Sequence, residues 1–189
     1  MKKTALGYLL MIGTCATLLF SSCLKENLEE ENEEEVITTM NLTFVPQGGG
    51  STVVYSFDDP DGPGGSLPSQ DSIILSPNTT YQVTLQLLNK TLNPPEDITA
   101  EVAEEPEAHR FYYIPSAGGN IVVSGLDADP QGIPLGITST WTTGTAALGN
   151  MRVVLRHYPG NPPDKAAADA ANSPKSSTDV EIDFITAVR

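Results

Sequence analysis
The sequence predicts an all-β fold, an immunoglobulin-like antiparallel β-sandwich of about nine strands. Three observations point there. Apolar and polar residues alternate in short runs, 16 glycines and 15 prolines punctuate those runs, and no stretch keeps a helical period. The clearest run puts Tyr81, Val83, Leu85 and Leu87 on one face, with Gln82, Thr84 and Gln86 on the other. Taken in order, Met40, Leu42 and Phe44 give a first strand, and Gly48-Gly49-Gly50 turns the chain into a second through Val53, Tyr55 and Phe57. A short strand over 72–75 ends at Pro77-Asn78, and the run from Tyr81 follows. Ile98, Ala100 and Val102 read as another strand, then 110–114, 120–124, 136–143 and 151–158. Val180, Ile182 and Phe184 alternate with carboxylates in the last. Residues 166–171 carry the one weak helical signal. Segments 58–70 and 159–177 read as loops, the second as a disordered insertion, with a mobile lid as the alternative. Trp141, set among threonines, reads as a core anchor, with sugar stacking as its alternative role.

Residues 1–22 read as a lipoprotein signal peptide. Lys2 and Lys3 supply the charged front, an apolar run spans 5–20, and Ser21-Ser22 precede Cys23, where small residues suit a peptidase cleft. Cys23 is then the lipidated first residue of the mature chain, and membrane attachment is through that lipid. Residues 23–35 form an acidic tether, since Glu29, Glu30, Glu31, Glu33, Glu34 and Glu35 repel one another and cannot pack. Residues 36–189 are the sandwich domain. An acidic run beside a lipidated cysteine resembles the export signals of Bacteroidota surface lipoproteins, which implies an outer-membrane location at the cell surface, with the periplasmic face as the alternative. Ten Lys and Arg against 24 Asp and Glu give a formal charge of −14, which argues against a nucleic-acid partner. With Cys15 removed and Cys23 lipidated, no thiol remains for a disulfide, a zinc cluster or nucleophilic catalysis.

Strand counting places the two histidines. If consecutive strands alternate in direction, His109 starts one strand and His157 ends another at the same end of the sandwich. The acids Glu104, Glu105, Glu107, Asp127 and Asp129 sit in turns at that end. Imidazole nitrogens together with carboxylate oxygens suit a divalent transition metal, so His109, His157, Glu105 and Asp127 form a candidate metal set. The alternative is a pair of solvated strand-end histidines. Axial ligation of haem, with Tyr112, Tyr113 and Tyr158 near the histidines, is a further reading. By the same count Asp58-Asp59-Pro60-Asp61-Gly62 lies at the opposite end, where Asp59 and Asp61 could ligate calcium. The same residues are also ordinary turn formers. There is no G-x-S-x-G elbow, phosphate-binding glycine loop or H-E-x-x-H, and the chain is expected not to be an enzyme.

Several segments resemble an uncharacterised family of small Bacteroidota lipoproteins. They are 59–65, 75–81, 96–101 and Glu104-Glu105-Pro106-Glu107-Ala108-His109-Arg110-Phe111-Tyr112-Tyr113, with Leu155-Arg156-His157-Tyr158-Pro159 and 178–184 later in the chain. Most of the mature chain is covered. Where this chain has Arg110 and Tyr158 the family usually has Gln. Members tend to be encoded beside TonB-dependent outer-membrane receptors. The resemblance implies a binding protein accessory to uptake of a scarce nutrient, a metal or its chelate, with such a receptor as partner. A structural, adhesive or glycan-binding surface module is the competing expectation.

Overall fold
A computed structural model describes residues 35–62 and 64–189. The stretches read as signal peptide and tether, with Cys23 between them, lie outside the described residues up to residue 34. The chain runs β1 (Thr39–Pro46), β2 (Val53–Asp58), β3 (Ser69–Gln70), β4 (Ile73–Leu75), β5 (Thr80–Asn89), β6 (Glu96–Asp97) and α1 (Ile98–Glu104). It continues through β7 (His109–Pro115), β8 (Ile121–Ser124), β9 (Thr138–Thr143), β10 (Ala147–His157) and β11 (Ser177–Val188). One sheet has the order β3-β2-β1-β5-β9-β8, with β6 also on β5; the other has the order β4-β11-β10-β7. The expected all-β sandwich is present, and nine of the strands read from the sequence occur. Every pairing is antiparallel except β4 with β11, which is parallel.

The alternation in β5 is realised as read. Tyr81, Val83, Leu85 and Leu87 are buried, and Gln82, Thr84 and Gln86 are exposed. They meet Met40, Leu42 and Phe44 of β1 across the sheet and Met151, Val153, Leu155 and Phe184 of the facing one. Trp141 is fully buried at the centre. Its ring lies edge-on to Phe44 at 5.1 Å and to Tyr113 at 5.7 Å, and its Nε1–H donates to Ser139 Oγ at 3.0 Å. That interior position removes the sugar-stacking role.

The strand expected through Ile98, Ala100 and Val102 is instead the helix α1. Ile98 and Val102 are buried while Ala100 is exposed, a spacing of four rather than two. Asp97 caps the helix by accepting from Thr99 N–H at 3.0 Å. Thr99 ties it to β5, its Oγ1 accepting from Leu87 N–H at 2.7 Å. Losing one strand inverts the direction count for everything earlier in the chain. Asp58 therefore pairs with Thr39, four residues after Glu35, and the 58–65 loop emerges at the histidine end, not the opposite one.

Segment 159–177 is folded onto the outer face of β7 and β10, contrary to the expected disorder. Arg110 donates to the carbonyls of Ala166 at 3.1 Å and Ala167 at 3.2 Å, and Tyr112 Oη donates to that of Asp169 at 3.0 Å. Lys165 is buried against Asp129, with Nζ 2.8 Å from Oδ2. Its ammonium also donates to the carbonyls of Pro106 at 2.5 Å and His109 at 3.0 Å. These contacts offset the ordering cost that composition alone led one to expect would win.

Candidate functional site
His109 opens β7 and His157 closes β10, and the two are directly paired across the ladder. Both continue the inward-facing set that contains Phe111, Val153 and Leu155, so their rings take the last interior positions before the sandwich opens. The rings stack at a centroid separation of 4.8 Å and an interplanar angle of 27°. The expected proximity of the histidines is met. A stack this close leaves no slot for a porphyrin between the two rings.

The His109 side chain is only 2% exposed. Its Nδ1 lies 3.1 Å from the carbonyl oxygen of Glu105, and since a carbonyl can only accept, Nδ1 carries the proton. The lone pair is then on Nε2 in the neutral ring. Burial pushes the His109 pKa down to about 4, helped by His157 and Lys165 and opposed by the Glu105 carbonyl. His157 is also depressed by burial, with Glu105 acting against it.

Two carboxylates approach this pair, and neither belongs to the expected set. Asp179 lies on β11 where the register shifts: Leu155 faces Val180 and Arg156 faces Thr178, leaving Asp179 as the extra residue of a bulge. The bulge swings its side chain toward the histidines. One ligand-type atom from each of His109, His157 and Asp179 lies within 4.8 Å of the others, and among the described residues this is the one such group of three or more. Glu35, four residues before β1, brings Oε1 to 3.8 Å from His109 Nε2, and its Oε2 is buried without a hydrogen-bond partner. Burial raises the Glu35 pKa to about 7, with further upward pushes from Asp179, Glu101, Glu105 and Glu96.

Glu105 lines the cleft and orients His109 through its backbone. Asp127 does not enter the site. Its Oδ1 accepts from the N–H groups of Gly136 at 3.0 Å and Thr138 at 2.9 Å, so it closes its own loop. Asp59 and Asp61 lie side by side in the 58–65 loop, where Asp61 accepts from Ser66 N–H at 2.8 Å. Asp59 is shifted upward, by burial first and then by Asp61. Among the described residues no third acid joins them.

The histidines floor a cleft of about 740 Å³. Glu35, Glu104, Glu105 and Glu107 line one part of it, and the start of segment 159–177, including Gly160 and Asn161, lines another. Such a volume suits a small ligand, and its carboxylate wall favours cations over anions. Sequence reasoning missed Asp179 because a bulge has no signature in alternation. It missed Glu35 because that residue ends an acidic run. Against known proteins, the chain matches no family model, no curated protein and no solved structure.

Proposed function
We propose that this chain is a non-enzymatic binding protein whose ligand enters the histidine cleft. On this reading it is held at the outer membrane, on the cell surface, by lipid on Cys23. It serves as an accessory to a TonB-dependent uptake system for a metal or its chelate, on a sandwich of immunoglobulin-like kinship. The observation that carries the binding reading is the acid-walled cleft of about 740 Å³ that ends on the stacked His109 and His157. Within it the Glu35 carboxylate comes to 3.8 Å from His109 Nε2, an arrangement that suits holding a cation. The anchoring part rests on the residues from Met1 to Cys23 and the acidic run after them.

The test combines location with uptake. The native protein should fractionate with membranes and be shaved from intact cells by protease, and Cys23→Ala should release it. Deleting the gene should slow growth under transition-metal limitation, and Ala108→Trp, which fills the cleft wall, should reproduce the defect at normal protein levels. Normal growth of both strains under metal limitation would exclude the uptake role. It would favour the adhesive or glycan-binding alternative.

A further inference from the structure
We propose that His109, His157, Asp179 and Glu35 form a mononuclear site for a divalent transition metal of the zinc, nickel or copper class. This rests on the reading of the cleft as the ligand site and names its occupant. The donor set is two imidazole nitrogens and two carboxylates, borderline nitrogen with hard oxygen, a mixture that suits these ions better than calcium or magnesium. His109 is already arranged as a ligand. Its Nδ1–H is held by the Glu105 carbonyl at 3.1 Å, which fixes the ring and turns the Nε2 lone pair to the cleft.

The spacing is close to what coordination requires. In a tetrahedral site with bonds of ~2.1 Å, ligand atoms lie roughly 3.4 Å apart. Glu35 Oε1 is 3.8 Å from His109 Nε2, and the His109, His157 and Asp179 atoms fall within 4.8 Å of one another. Glu35 stands outside that group of three and would join it by rotation about its own side-chain torsions. Glu35 also supplies an observation independent of the histidines, because Oε2 is buried with no hydrogen-bond partner. A buried carboxylate oxygen in that condition is costly unless a cation or proton meets it. Two of the ligands come from the paired strands β7 and β10, one from the bulge on β11 and one from the segment leading into β1. The ion would therefore fasten the entry of the chain to the opposite sheet.

Calorimetric titration of the detergent-solubilised full chain, stripped of metal beforehand, should give one zinc, nickel or copper ion per chain. Calcium should give no comparable heat, which separates the site from diffuse binding by the tether carboxylates. Asp179→Asn and Glu35→Gln, both near-isosteric, should each weaken the Kd at least tenfold, and His157→Gln likewise. Retained circular dichroism and urea midpoint would show that these variants still fold. Cobalt(II) should give the intense visible bands of a four-coordinate ion, lost in Asp179→Asn. Absence of binding, or equal affinity in all variants, would overturn the site. If binding is absent yet Ala108→Trp still impairs uptake, the metal inference fails alone and the cleft takes another ligand. If the metal binds and Ala108→Trp leaves uptake normal, the site stands and the uptake reading fails.

Discussion
Replacing Lys165 by methionine should destabilise the domain by about 3–5 kcal/mol, the cost of leaving one charge of a buried pair alone. The structure supplies the reasons. Lys165 and Asp129 side chains are 2% and 1% exposed, and Nζ and Oδ2 are 2.8 Å apart. Nζ also donates to the Pro106 and His109 carbonyls, both of which would lose a charged donor. The gross attraction at that distance is roughly 6 kcal/mol at an effective dielectric of 20, most of it cancelled by desolvation of the intact pair. What Lys165→Met exposes is the uncancelled desolvation of Asp129, whose Oδ1 is already committed to Gln131 N–H and Ile133 N–H. For a domain of this size the loss corresponds to a fall of roughly 6–20 °C in Tm. Urea unfolding at pH 7 measures it. The double variant Lys165→Met with Asp129→Asn should recover part of the loss, because the amide oxygen can keep the two loop contacts without a buried charge. A single variant within about 0.5 kcal/mol of wild type, or a double variant whose loss equals the sum of the singles, would refute the reasoning.

Acid should weaken the metal-free protein through His109, whose folded pKa of about 4 lies below the unfolded 6.5. Between those values the unfolded chain takes up a proton that the folded one refuses, so stability falls as pH drops from 6.5 to 4, by on the order of 3 kcal/mol. Glu35 works in the opposite sense. Raised from 4.5 to about 7, it contributes stability below pH 4.5 that is lost as pH rises through 7. Glu35→Gln should therefore gain stability over wild type at pH 7.5 and match it near pH 4, in EDTA; a gap that does not widen with pH counts against this. Trp141→Ala should cost about 3–5 kcal/mol by opening a cavity among Phe44, Tyr113 and Tyr81, and the Trp141 emission of the native protein should be blue-shifted and resist iodide quenching. Asp97→Ala, which removes the cap of α1, should cost about 1 kcal/mol in a urea midpoint; no change there would mean the helix is held by Thr99 and its buried face alone.

Most of the sandwich was legible because half-buried strands write their period into the sequence, as Tyr81 to Leu87 and Val180 to Phe184 do. The segment 98–104 misled because three apolar residues at intervals of two also contain an interval of four. In seven residues the cap at Asp97 decides between the two readings, not the period. The histidine pairing was legible as strand direction, since the miscount came before His109 and left later relations intact. The carboxylates were not. Asp127 looked available but serves its own backbone, whereas Asp179 reaches the histidines through a register shift that only the pairing of β10 with β11 produces. The fate of 159–177 was hidden for another reason. Its polar composition is compatible with disorder, and its order depends on Arg110, Tyr112 and Lys165 contacts made far along the chain.

The entry of the chain at Glu35 has a spatial consequence for delivery. The segment from the proposed anchor reaches the domain at the rim of the cleft, not at its far pole. Glu35 is twelve positions after Cys23, so at ~3.3 Å per residue the rim of a protein anchored there would stand no more than ~40 Å from the bilayer. Under the proposed anchoring, a leash fixed beside the opening would keep that opening within reach of the lipid surface. Cargo held there would be handed sideways to a partner embedded in the same membrane, over a distance comparable to one protein diameter.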